Sequence, residues 1–425
     1  MNEFLAFLNN SPSPYHAIDW MRQLLKKNGF TQASEGSSWA DLNHRKSYLC
    51  RDDKSLIAWL PGSSTPLNTG FRVIGAHADS PALKPRSNRI SIKSKVPVLE
   101  VGVYGSPLLH TWLDREFGLA GQIYTRAMPG GSLFVSRSIN LRTASLAIHL
   151  DRDSRSDGLK LSPQEHINCI VSDSSYHEGN DLIDLVANEI GVDRSEVLAL
   201  DLSLFDRHPA QHLSGSPGFL SGGRLDNLLS CFCAVSAMLA LQAVPASTIV
   251  IAIFDAEEIG SRTWSGAQSS LLSSTLERIT HLNESAEQTN VDAFRRAIAL
   301  STLISVDAAH ANHPFHPERL SPQSAPNLND GVAIKKSDRG HYAVSARLEA
   351  AIVRVCREQN IPLQDFRYRE DLGGGSSIGP IISSQLGIET IDAGVGLLGM
   401  HSARELMGSD DVQNCINFIK AAFTI

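Results

Sequence analysis

The chain has 425 residues, 42% of them hydrophobic and 20% charged, with a net charge of −7 at neutral pH. That is globular composition, long enough for two or three domains. It excludes nucleic-acid binding through a basic face and a membrane span, since there is no Lys/Arg run and no stretch approaching ~18 uninterrupted apolar residues. The six cysteines are scattered without a CxxC pair, and MNEFLAFLNN has no basic segment leading into a long apolar one. The expected compartment is therefore the reducing cytoplasm.

In chain order, residues 14–29 (PYHAIDWMRQLLKKNG) carry apolar residues at helical spacing and stop at Gly29, a helix-ending signal. FRVIGAH (71–77) reads as a short buried strand ending on His77. Residues 85–215 contain the β-like pieces RISIKSKVPVLEVGVYG, AGQIYTRAM, GSLFVSRSI and TASLAIHL, broken by Gly, Pro and Asn, with a more polar stretch over 151–190. Residues 225–243 are apolar nearly all round, as in a helix buried between layers. TIVIAIFD (248–255), TLISVD (302–307) and IETIDAG (388–394) are three more apolar strands. Strands alternating with helices predict an α/β fold, a mostly parallel sheet flanked by helices. The middle segment predicts an inserted β-rich domain. The expected division is a discontinuous catalytic domain over 1–84 and 216–425 with the insert at 85–215.

The four strands end at or near acids and histidines, where open α/β sheets bind ligands. Asp255-Ala-Glu-Glu-Ile-Gly260 puts two adjacent carboxylates, Glu257 and Glu258, at a strand end. Buried together they repel, and a divalent metal resolves that cost, one carboxylate serving as ligand and the other as base. A solvated acidic loop is the plain alternative. In Gly75-Ala-His-Ala-Asp-Ser-Pro81, Asp79 stands two residues from His77, placed to orient the imidazole or to buttress the cage. Asp226 in Gly223-Arg-Leu-Asp-Asn227, Asp307 at its strand end and His401 in Gly399-Met-His-Ser-Ala-Arg-Glu405 complete a nitrogen and oxygen donor set without thiolate. Such a set suits a pair of Zn²⁺ ions, with Mn²⁺ or Co²⁺ as alternatives.

These motifs resemble, in order and along nearly the whole chain, the M18 metallopeptidases, the aspartyl aminopeptidases. The resemblance runs from Ser11-Pro-Ser-Pro-Tyr-His16 through GAHADSP, Thr111-Trp-Leu-Asp-Arg115, Leu146-Ala-Ile-His149, RLDN and DAEEIG to MHSAREL. It implies a zinc-exopeptidase-like catalytic domain that removes an N-terminal residue, preferably Asp or Glu, from peptides. It implies two zinc ions per subunit, held by His77, Asp226, Glu258, Asp307 and His401, with Asp226 as the bridge. Glu257 resembles the general base, and His310 a residue near the scissile carbonyl. Lys335 and Tyr342 match substrate contacts, Lys335 being the cation for an acidic first side chain; without the resemblance it reads as a surface lysine. His149, in the insert, matches a histidine that reaches a neighbouring subunit's site to touch substrate, with zinc ligation as the alternative. Self-association into a tetrahedral dodecamer is also implied.

The chain departs from the family pattern at Phe315-His316, at His341 and in the three glycines of 371–377. These departures bear on side-chain preference rather than on ligands. The order HxD…D…EE…D…H is shared with related two-zinc deacylases and carboxypeptidases. A metallopeptidase-like scaffold without turnover is a further alternative; it predicts a missing ligand or base, and none is missing.

Overall fold

The computed structural model describes residues 1–216, 218–282, 291–321, 323–372 and 374–425, without the side chains of Arg155 and Val291. Side chains on a strand alternate between faces, and in the central strands both faces are apolar. In Thr248–Phe254, Ile249, Ile251 and Ile253 join one buried cluster while Val250, Ala252 and Phe254 join another. Ile74 and Ile304 go with the first cluster, Val73 and Leu303 with the second. A sheet apolar on both faces needs a helical layer on each. Helices Asn2–Asn10, Pro14–Lys27, Leu225–Leu239, Ala346–Glu358 and Asp411–Ala422 cover one face. Leu271–Leu282, Val291–Ala299 and Ile378–Leu386 cover the other.

At the centre of this mixed sheet Thr248–Phe254, Phe71–His77, Thr302–Val306 and Glu389–Leu398 lie side by side, all parallel. Antiparallel strands flank them: Ser55–Leu60 on one side, Val332–Lys336 and Glu405–Gly408 on the other. From Phe71–His77 the chain passes to the neighbour on one side and then to the neighbour on the other. That reversal opens a crevice at the carboxyl end of the strand.

A second sheet takes its six strands from between Ala82 and Asp206, all antiparallel. It has its own core, to which helix Leu182–Ile190 contributes Leu182, Leu185 and Val186. That helix opens on a reciprocal Asp181–Asp184 capping box and closes on left-handed Gly191.

Two expectations need correction. TASLAIHL forms no strand: it is irregular and then a turn, with Leu146 61% and Leu150 75% exposed. Its alternation is real, but no core lies opposite the apolar side. The buried helix expected over 225–243 ends at Leu239, and the following residues form the connection to the next strand.

Candidate active site

The crevice gathers residues that are far apart in sequence. His77 is the last residue of its strand, and Asp307 directly follows Thr302–Val306. Glu257 and Glu258 open the single-turn helix Glu257–Ile259, which the left-handed Ala256 turns away from the preceding strand. Asp226 sits in the irregular first turn of Leu225–Leu239. His401, itself left-handed, lies between Glu389–Leu398 and Glu405–Gly408. Together they line a cavity of about 470 Å³, with His310, Lys335 and Tyr342 on its walls.

Two groups of potential ligands face each other: His77, Glu257 and Asp307 in one, Asp226, Glu258 and His401 in the other, each with its ligand atoms within 4.8 Å of one another. Asp226 spans both, with Oδ1 3.5 Å from His77 Nε2 and Oδ2 3.5 Å from His401 Nε2. His77 Nδ1 donates to the Asp79 carbonyl at 3.1 Å, and His401 Nδ1 to the Ser106 carbonyl at 3.0 Å. A carbonyl only accepts, so each ring commits its Nδ1 proton there and turns Nε2 toward carboxylates. Around His77 Nε2 stand Asp307 Oδ1 at 3.3 Å and Glu257 Oε2 at 3.9 Å; Glu258 Oε1 is 3.4 Å from His401 Nε2. Nitrogen lone pairs and carboxylate oxygens converging on common points are the donor arrangement of a divalent cation. Asp226 Oδ1 and Glu258 Oε1 are buried without a hydrogen-bond partner, and such atoms ask for one. The residues present fit a metal pair.

The electrostatics agree. Asp79, Asp226, Glu257, Glu258, Asp307 and Glu405 crowd one site, with Lys335 bonded to Asp307 and the buried Arg224 beside Glu405 as nearby cations. Burial, and then the neighbouring carboxylates working against the pull of His77, push the Glu257 carboxyl up to about 8. Glu258 is likewise held well above the usual carboxylate range by burial and by Asp226. Divalent cations would reverse that logic and keep every carboxylate ionised.

Asp79 stands behind the candidate ligands. Its Oδ1 lies 3.3 Å from His77 Nδ1 and accepts the Glu257 N–H at 3.1 Å. Its Oδ2 accepts the Glu258 N–H at 3.1 Å and the Tyr104 hydroxyl at 2.8 Å. Glu405 does the matching work across the site, accepting the Asp226 N–H at 3.1 Å and the His401 N–H at 2.9 Å. Sequence reasoning missed the part played by Glu405. Its signal was its place in MHSAREL, four residues after His401 and at the start of a short strand.

Lys335 is 1% exposed, so the surface-lysine reading fails. Its Nζ donates to Asp307 Oδ2 and to the Ala308 carbonyl, both at 3.1 Å, and lies 4.6 Å from the Tyr342 ring centroid. Burial opposes its charge, but Asp307 and Asp392 outweigh burial and hold the ammonium above its ordinary value. His310 lies opposite, and burial first, then Lys335, lower it to about 4, so its ring is neutral at physiological pH. Tyr368, another residue missed from sequence, pins three walls at once: its hydroxyl lies 3.0 Å from His310 Nε2, 3.1 Å from the Tyr342 hydroxyl and 3.1 Å from Gly375 N. Gly373 of the 371–377 glycine run lies outside the described residues. His149 is not brought into this cleft; it stands exposed in the 143–150 segment.

A mixed α/β sheet with a parallel centre, carrying paired nitrogen and oxygen candidate ligand groups beyond its strand ends, is the framework of a metal-dependent hydrolase. The chain belongs to the M18 family: the family described as aminopeptidase I zinc metalloprotease (M18) matches residues 7–423. A probable M18 family aminopeptidase 2 of Mycobacterium leprae is 37% identical over 418 residues, covering 96% of this chain and 95% of its own. A probable aspartyl aminopeptidase of Ricinus communis is 32% identical, covering 99% and 94%. The solved S. cerevisiae mApe1 dodecamer superposes with a TM-score of 0.83 at 26% identity, covering 99% of this chain and 95% of that one. The chain is a metallo-aminopeptidase. Among the described residues no helix is long and apolar enough to cross a membrane.

Proposed function

We propose that this aminopeptidase works with two metal ions, zinc with Mn²⁺ or Co²⁺ as alternatives, and removes Asp or Glu from the N-terminus of peptides. His77 and Asp307 would hold one ion, Glu258 and His401 the other, with Asp226 between them. The observation that carries this reading is Asp226, whose two oxygens each face a different imidazole at 3.5 Å. When bound, the ions polarise the scissile carbonyl and bring a water's pKa toward neutrality. Glu257 takes the attacking water's proton and returns it to the leaving amine. Asp79 fixes the His77 ring and, through the backbone N–H groups of Glu257 and Glu258, the placement of both glutamates. His310, neutral, donates toward the developing oxyanion. Lys335 has two of its three N–H donors committed, and we assign the third to an acidic first side chain, beside Tyr342. The aspartyl aminopeptidase name of the Ricinus communis relative supports that preference.

We further read residues 85–215 as the inserted, self-associating domain and the remainder as the catalytic domain. The assembly is a tetrahedral dodecamer in which the exposed His149 reaches a neighbouring subunit's substrate; the dodecameric S. cerevisiae relative supports the subunit count. Six free thiols support a cytoplasmic location. Glu257→Gln tests the core of the mechanism: metal content should stay intact while kcat falls by about 10²–10⁴. Near-wild-type turnover would remove Glu257 as base.

A further inference from the structure

Beside the metal-ligand cleft lies a second, more open groove of about 520 Å³. The two are continuous, since His310, Tyr368 and Met400 line both. Beyond that shared rim the groove has a different chemistry from the cleft. Its wall is apolar, formed by Leu320, Leu372, Leu397 and Leu398, and its outer edge carries His313, His316 and Arg319. The imidazoles of His313 and His316 lie 5.0 Å apart, centroid to centroid. Glu318 takes up part of the edge charge, 3.5 Å from His316 Nδ1 and 3.6 Å from Arg319 Nε.

An aminopeptidase must hold the free amine and first side chain at a closed end and let the rest of the peptide leave. One end of the cleft is walled by buried carboxylates and the buried Lys335, and its His310, Tyr368 and Met400 rim is shared with the groove, which offers the continuing chain a path outward. We infer that the groove is the subsite for the residue after the scissile bond and that it selects an apolar side chain there. This rests on the reading of the cleft as the peptide-cleaving site. Leu320, Leu397 and Met400 supply the surface that removes that side chain from water, which is the source of preference in such a pocket. The Arg319 guanidinium at the edge opposes a Lys or Arg in the same place. The groove is large enough for one full side chain with its backbone, so an aromatic residue is accepted as readily as leucine.

The test uses the metal-loaded full-length protein with tripeptides Asp-X-Ala, X being Leu, Phe, Gly or Lys, and a second set varying the first residue (Asp, Glu or Ala before Leu-Ala), and reads ratios of kcat/KM within each protein so that overall loss of activity cancels. Wild type should favour Leu and Phe over Gly by about tenfold, with Lys the poorest. Leu320→Ala should compress the Leu-to-Gly ratio, and Arg319→Glu, on an exposed side chain, should raise the Lys-to-Leu ratio. A flat response to X in wild type overturns the subsite while leaving the cleft reading standing. A change in first-residue preference in Arg319→Glu, with none in X, assigns the groove to the first residue and equally overturns it. No turnover of any peptide overturns the cleft reading and this inference together.

Discussion

At the scale of single residues, the site is built as much by groups that hold the ligands as by the ligands. Glu405 accepts the backbone N–H groups of Asp226 and His401, residues from the two ends of the second ligand group. Glu405→Gln would set an amide N–H₂ against one of those donors. We expect it to weaken metal binding by about 10–100-fold, read by competition with a chelator. Unchanged affinity would mean that the helix and turn hold their ligands unaided. Lys335 gives a second case, because it bonds Asp307 and also faces the cleft. Lys335→Met should lower the kcat/KM ratio of Asp-first over Ala-first dipeptides by tenfold or more; an unchanged ratio would leave Lys335 as a support for Asp307 alone. The two residues also show what is legible in sequence. His77, Asp307 and Glu258 could be read from strands that run into them. Lys335 could be placed only by resemblance, since two adjacent lysines at the end of a strand give no local sign that the first is buried. Glu405 and Tyr368 gave less still, because each ties a near partner to one far along the chain, Asp226 at 179 residues and His310 at 58.

At the scale of elements, the strands were legible where apolar residues run continuously, because a strand buried on both faces shows no polar alternation. TASLAIHL failed for the opposite reason: alternation alone cannot say whether a neighbouring strand or a core exists. Packing between elements, which sequence does not display, also sets the site's tolerance to change. Gly394, in strand Glu389–Leu398, lies so close to the next turn that a Cβ there would be 1.7 Å from the Asp307 carbonyl oxygen. Asp307 N donates to the Ala393 carbonyl at 2.9 Å, so the two segments are stitched together at this point. Gly394→Ala must therefore push Asp307 away. We expect about 1–3 kcal/mol of lost stability by thermal melting, and weakened metal binding with it. Wild-type metal affinity in a folded Gly394→Ala protein would show that Asp307 can shift without cost to the site.

At the scale of the molecule, the two sheets are joined by charge near the crevice. Asp201, in the second sheet, accepts from Lys84 Nζ of the same sheet at 2.7 Å and, from outside it, from the Tyr15 hydroxyl at 2.7 Å, and faces Lys54 Nζ, just before strand Ser55–Leu60, at 3.5 Å. Burial alone would raise this carboxyl; Lys84, Tyr15 and Lys54 outweigh burial and hold it at about 2. A carboxyl depressed in the folded state stabilises it above the unfolded pKa of about 3.9 and loses that contribution as pH falls toward 2. Asp201→Asn should thus cost about 2 kcal/mol near neutrality, and the gap in melting temperature from wild type should close below pH 4. A gap that stays constant down to pH 3 would mean that the contact between the sheets does not depend on this charge.

Glu257 and Glu258 are neighbours in the chain, yet the carboxylate of Glu257 lies on the His77 side of the site and that of Glu258 on the His401 side. Successive Cα atoms are about 3.8 Å apart across a trans peptide. The backbone spacing of these two glutamates is therefore set by one covalent link, and packing sets the side chains that hang from it. Thermal motion of the surrounding loops can carry the halves together, but it cannot pull these two anchor points apart. Inserting a single residue between them would leave each set of side chains intact and break the gauge that spaces them.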